Sequence, residues 1–237
     1  MIIYECLLEL HDNLFFATRE MGRFYETSSA IHNYSITYAL GFAGYNKNFP
    51  ISNYSCDEQI PKYKDDLSDM FLYVTPAKPL DIKFDFNTFK FGEANYYLTS
   101  TVGPEQARKL GVTSSNQPSF GKVKEISVGS TFSFFILSEN ELFIPKWIRL
   151  GKWMSKAELN VNKIELSQSN IKEGEYFVNH PLNPLDIHKN NKLINFDIIA
   201  MPPSSLINNA TLKGEYIEFE TANKKTMKLP ANLKYTF

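Results

Sequence analysis

Glycine-rich phosphate loops, dinucleotide glycine fingerprints and the GxSxG turn of serine hydrolases are all missing from this 237-residue chain. Most NTPase, Rossmann and hydrolase functions therefore have no residues to stand on. Cysteine is scarce as well: Cys6 lies in an apolar run and Cys56 in a polar one, with no CxxC pair. That excludes a disulfide framework and fits a reducing compartment. His180 and His188 flank "PLNPLD" with Asp186 between them, but the spacing matches no zinc pattern and two prolines prevent a helix that could align them. A structural turn is expected there, with no metal and no cofactor. The start "MIIYECLLEL" lacks a basic leader and a small-residue cleavage site, and no apolar run approaches the roughly 18 residues of a membrane span. These absences predict a soluble, cytoplasmic, unprocessed protein. Net charge is −1 and the pI about 6.4, so a free-standing polycation is excluded and any polyanion site must be local.

Apolar residues, in contrast, are plentiful at 43%, enough for a sizeable core without staples. Charge is unevenly spread. The stretch 56–69, "CDEQIPKYKDDLSD", carries five acids against two lysines. The stretch 145–156, "PKWIRLGKWMSK", has Lys146, Arg149, Lys152 and Lys156, no acid, and both tryptophans of the chain.

"IIYECLLEL" (2–10), apolar on both faces, reads as a strand central to a sheet. After a polar loop, Ser28 or Ser29 is placed to cap a helix over about 30–40, with Gly41 past its end. From Tyr45 to about Asp69 the sequence turns polar and tyrosine-dotted, an irregular insertion assigned in all to about 45–75. "MFLYVTP" resumes as a strand. Further strands are expected at 82–86, 89–100, 129–138, 158–166, 195–201 and 214–220, and a short helix over 103–111. "ELFIPKWI" is expected to pair with 129–138 across the "ENE" turn. Strands outnumber helices and do not alternate with them, which argues an α+β fold with an antiparallel or mixed sheet. With no linker or internal repeat, residues 1–237 read as one domain.

"GRFYETSSAIHNYSITYALG" (22–41) places Arg19 and Arg23 just before a Ser-capped helix start. Exposed N–H groups, the helix dipole and two guanidinium forks together suit a phosphate; pairing of the arginines with Glu20 and Glu26 is the competing reading. In the basic segment, Arg149, Lys152 and Lys156 cluster beside tryptophans. Cations can track a nucleic-acid backbone while an indole such as Trp153 stacks on a base; a solvated edge with core tryptophans is the alternative. "FKFGEANYYL" hints at an RNA-recognition sheet but fails the RNP1 pattern.

Three strings in this order, "LHDNLFFATREMGRFYETSSAIHNYSITYALG", "GSTFSFFILSENELFIPKWIRLGKWMSKAEL" and "NHPLNPLD", resemble the Csc-type member of the Cas-five family of type I-D CRISPR effector complexes. The resemblance implies an RNA-recognition-like, ferredoxin-like antiparallel sheet core with an inserted thumb-like element. It further implies a non-catalytic subunit that caps the 5′ handle of the CRISPR RNA and nucleates effector assembly for antiviral defence. Its partners would be a Cas-seven-type backbone subunit, a Cas-ten-like large subunit, in some assemblies the Cas-six endonuclease, and target DNA through the complex. On this reading Arg19, Arg23, Ser28, Ser29, Arg149, Lys152 and Lys156 hold phosphates, and Tyr25, His32, Asn33 or Trp153 read or stack bases. The alternatives are a metal-independent endoribonuclease processing precursor CRISPR RNA, using His32 with Tyr25 or Lys152, and a pure scaffold.

Overall fold

The computed structural model describes residues 1–44, 61–91, 105, 109 and 119–237. The chain opens with β1 (Ile2–Leu10), a short hairpin of β2 (Arg19–Met21) and β3 (Phe24–Glu26), and α1 (Asn33–Ala39). Next come α2 (Tyr63–Leu67), β4 (Leu72–Val74), β5 (Lys78–Asp81) and β6 (Phe84–Phe91). The central strands are β7 (Ser119–Ile126), β8 (Thr131–Ser138), β9 (Trp147–Leu150) and β10 (Ser155–Glu165). Four more, β11 (Ile171–Val178), β12 (Lys192–Ile199), β13 (Leu206–Glu220) and β14 (Thr226–Pro230), complete it. At 52% strand and 10% helix, the fold is a strand-dominated α+β arrangement, as the sequence indicates.

A six-stranded sheet runs β4-β8-β1-β10-β9, with β5 also on β8. β1 is antiparallel to both neighbours, the central position its apolar run requires. Its even-numbered side chains, Tyr4 to Leu10, meet Phe132, Phe134 and Ile136 of β8 and Ile36 and Leu40 from the α1 region in one core. Each such buried side chain contributes about 1.5–3 kcal/mol of transfer free energy. At one end of the opposite face, Ile3, Phe135 and Leu137 pack onto a second sheet, β11-β13-β12 with β14 on β13. The third sheet, β2-β3-β7-β6, contains a parallel pair, β3 with β7. No helix among the described residues is long and apolar enough to cross a membrane.

Three local expectations need correction. "ELFIPKWI" does not pair with β8, because β1 occupies one side of that strand and β4 and β5 the other; β9 instead pairs with β10. The expected insertion over 45–75 ends earlier, since β4 is fully buried and belongs to the main core sheet. Its part at 45–60, like the expected strand over 92–100 and nearly all of the helix over 103–111, lies outside the described residues. The third correction concerns the start of α1 and belongs to the site.

Candidate nucleic-acid interface

The basic segment is extended. Alternation along β9 turns Ile148 and Leu150 inward and Trp147 and Arg149 outward, and the register with β10 sets Arg149 beside Lys156 and Trp147 beside Glu158. Gly151 closes the hairpin at φ +75°, where a Cβ would sit 2.7 Å from both Leu14 Cδ1 and the Phe15 carbonyl oxygen. Only glycine fits this close approach. The same carbonyl accepts a 2.9 Å hydrogen bond from the Lys152 amide, so the tip of the hairpin is pinned to residues 14–16.

Trp153 is 54% exposed, with its ring 4.5 Å from that of Phe15 at 32°. Trp147 is also at the surface, under the Lys156 ammonium at 3.9 Å. Neither indole is a core residue. Lys146 pairs with Glu158 at 2.9 Å, and Arg149 donates to the Met154 carbonyl at 3.1 Å and lies 3.9 Å from Asp12. These exposed pairs are weak and salt-screened. Lys152 makes no ion pair among the described residues. Arg149, Lys156 and Trp147 line an open groove of about 440 Å³ with Tyr38 and Ala39 of α1. Lys152 lines a neighbouring cavity of about 250 Å³ with His32, Ser35, Tyr63 and Phe16.

α1 starts at Asn33, not near residue 30, and its cap is His32, whose Nδ1 accepts from the Tyr34 amide at 3.2 Å. Ser28 and Ser29 lie upstream of any helical turn, so the anion site expected at a Ser-capped helix start does not form. The reason is tertiary. The Ser28 amide donates to Thr18 Oγ1 at 2.9 Å, and Thr27 Oγ1 exchanges hydrogen bonds with the Phe16 backbone, holding residues 27–28 against the segment that leads from β1 into β2. Arg19 lies opposite Glu26 in the β2–β3 pair and 3.8 Å from its carboxylate, the competing reading of that arginine. Arg23 is exposed in the β2–β3 turn. Tyr25 is half-buried with its ring 5.8 Å from Phe89, on the face of β3 opposite to Arg19.

Asn33 is enclosed, at 0% exposure. Its Nδ2 donates to Asp186 Oδ2 at 2.9 Å, beside the Tyr73 hydroxyl, which donates to the same oxygen at 3.0 Å. The Thr236 amide donates to Asp186 Oδ1 at 3.1 Å, and Asn183 Nδ2 donates to the Tyr34 hydroxyl at 3.2 Å. Thus "NHPLNPLD" is a buried polar anchor for α1, β4 and the C-terminal segment. This agrees with a structural turn, but no local pattern marks the partners of Asp186, which come from residues 33, 73 and 236. Burial pushes the Asp186 carboxyl up to about 6 against its hydrogen bonds. Burial likewise holds His32 down at about 4 and His180 down at about 3, so both imidazoles are neutral near pH 7. His32 Nε2 lies 3.1 Å from Ser204 Oγ, leaving its ring committed on both sides. Among the described residues no group of three His, Cys, Asp or Glu could hold a metal ion.

The structure therefore brings Arg149, Lys152, Trp153 and Lys156 together on one hairpin, with His32 behind Lys152. Arg19, Arg23 and Tyr25 sit on a different sheet, and Asn33 in the interior. A family model described as type I-D CRISPR-associated protein Cas5/Csc1 matches residues 1–237. No curated protein sequence matches the chain significantly. Among solved structures, a crystal structure of a CRISPR protein from Archaeoglobus fulgidus is similar at a TM-score of 0.46 and 13% identity, covering 98% of this chain and 100% of that one. A chain of the type III-B Cmr-beta complex bound to cognate target RNA and AMPPnP is similar at 0.44 and 11% identity, covering 88% and 86%. A chain of a Csm1–Csm4 cassette in complex with one ATP gives 0.35 and 8%, covering 100% and 97%.

Proposed function

This chain belongs to the type I-D CRISPR-associated Cas5/Csc1 family, and from that premise we propose that it is the non-catalytic RNA-binding subunit of a type I-D interference complex. It caps the 5′ handle of the CRISPR RNA and nucleates assembly with a Cas-seven-type backbone subunit and a Cas-ten-like large subunit, in some assemblies beside a Cas-six endonuclease. Target DNA is met through the complex. The chain acts as one Cas-five-like domain. Its ferredoxin-like, RNA-recognition-like core is the antiparallel sheet centred on β1 and backed by α1.

The observation that carries this reading is the tip of the β9–β10 hairpin. An exposed indole beside an ammonium that makes no ion pair among the described residues, flanked by Arg149 and Lys156, offers stacking and phosphate contacts to the same strand. The endoribonuclease alternative is less favoured by the geometry: His32, its best acid–base candidate, caps α1 through Nδ1 and meets Ser204 through Nε2.

The test is handle-RNA binding by the assembled complex over a salt series, with the triple alanine variant of Arg149, Lys152 and Lys156. Each lost phosphate contact flattens the slope of log affinity against log salt by about 0.7, so the expected change approaches 2 if all three engage. Unchanged affinity and slope in a complex that still assembles would refute the phosphate role. Cutting of labelled repeat RNA by the purified protein in EDTA would instead establish the nuclease.

A further inference from the structure

The third sheet is two-sided in its chemistry. Pleating and the register of its strands put Arg19, Met21, Phe24, Glu26, Phe86, Thr88, Lys90, Phe120, Lys122 and Lys124 on one face. The opposite face takes Glu20, Asp85 and Glu125, the last two bound by Asn13 Nδ2 at 3.2 and 3.1 Å. The first face thus carries four cations against one acid, and that acid, Glu26, already pairs with Lys124 at 2.8 Å and Arg19 at 3.8 Å. Lys90 and Lys122 are exposed and make no ion pair among the described residues.

Aromatic rings lie between these cations. Phe86 is 65% exposed and Phe120 is 53% exposed. Phe86 is stacked on Phe24 with an interplanar angle of 13° and 6.4 Å between centroids, which fixes the lower ring and presents the upper one to solvent. Phenylalanines this exposed on a sheet face offer flat apolar surface and no hydrogen-bonding group to the solvent. Behind them the sheet is stiffened: Phe89 lies flat on Gly121, where any Cβ would fall 2.5 Å from its Cζ. Rings held on a paired strand, with Lys122 two residues along from Phe120 on the same face and Lys90 directly across from Phe120, interleave aromatic groups and cations as a nucleotide chain interleaves bases and phosphates.

We propose that this face of the β2-β3-β7-β6 sheet is a second binding surface, for single-stranded nucleic acid. Bases stack on Phe86 and Phe120, and Lys90 and Lys122 hold the phosphates. Its charge excludes a basic protein partner, and its separated, stacked rings with cations beside them suit a polyanion with flat apolar groups. The surface rests on the RNA-binding reading above only for its class of ligand. It uses different strands from the β9–β10 tip, so the two can fail separately.

The experiment is binding of fluorescein-labelled oligouridine and oligothymidine twelve-mers to the purified full chain, over a salt series. The variants are Phe86→Ala, Phe86→Tyr, Lys122→Ala, and the triple alanine variant of the tip. Phe86→Ala is expected to weaken binding by roughly five- to a hundredfold with an unchanged salt slope, the effect of one lost stacked base. Phe86→Tyr, which keeps the ring, restores it. Lys122→Ala flattens the slope by about 0.7. Equal weakening for both oligomers assigns the face to either sugar, and weakening confined to one assigns it to that one. Photocrosslinking to a peptide containing Phe86 or Phe120 reports the contact directly. Binding that falls in the tip variant but not in Phe86→Ala or Lys122→Ala, without crosslinks to β6 or β7, overturns this proposal and leaves the tip reading in place. Wild-type protein that binds neither oligomer overturns this proposal, while the tip reading is judged separately on handle RNA.

Discussion

Replacing Asp186 by Asn should change not only the stability of the protein but its pH dependence. The carboxyl is 1% exposed, accepts from Asn33, Tyr73 and Thr236, and has no ion-pair partner among the described residues, so burial raises it from 3.8 to about 6. Between those values the folded protein holds a proton that the unfolded chain releases. Its contribution therefore falls as pH rises through that window and is constant above it. Two units correspond to about 3 kcal/mol, of which about 2 kcal/mol falls between pH 4.5 and 7. His32 and His180 act in the opposite sense: their folded values, about 4 and about 3, lie below the unfolded 6.5, so their contribution is present above 6.5 and is lost as pH falls toward those values. The wild type should thus lose stability in acid, with Asp186 moderating the loss. Asn cannot titrate, but its Nδ2 would face the Thr236 amide at Oδ1 or displace one of the donors at Oδ2, a cost of about 1–3 kcal/mol at every pH. Urea unfolding at pH 4.5, 5.5 and 7 should therefore show Asp186→Asn more destabilised than wild type at the acid end and about 2 kcal/mol closer to it at pH 7. A destabilisation that stays constant across this range would mean the carboxyl titrates alike in both states and would sink the argument.

Gly151→Ala should lower the melting temperature, because φ +75° is costly for alanine and the added carbon meets Leu14 and the Phe15 carbonyl at 2.7 Å; about 1–3 kcal/mol is expected. An unchanged melting curve would show that the tip is not pinned as described. Trp153→Ala should leave stability within about 1 kcal/mol, since the ring is more than half exposed, while handle-RNA affinity falls by about 1–3 kcal/mol with little change in salt slope. A loss of thermal stability of core size, without loss of binding, would return Trp153 to a packing role.

Elements whose signal is local could be read from the residues alone. The apolar run of β1 required a strand covered on both sides, and the aromatic, apolar run of "TFSFFILS" required β8. The cluster of cations and tryptophans at 145–156 announced a surface segment whatever its conformation. The two prolines of "PLNPLD" ruled out a helical metal site. Tertiary structure alone decided the rest, because each choice turned on a partner distant in the chain. Ser28 and Ser29 are good capping residues, but Phe16 and Thr18 in the β1–β2 connection hold residues 27–28, and the helix starts only at Asn33, capped by His32. Asn33, expected among the residues that read or stack bases, is held inside by Asp186, 153 residues away. Nearness in sequence puts β9 beside β8, yet both edges of β8 are filled by β1, β4 and β5, which come earlier in the chain. Pairing of the alternating strands β6 and β7 decided which of their side chains share a face. Alternation fixes which residues face together within a strand, but only the register between strands assembles those rows into a surface.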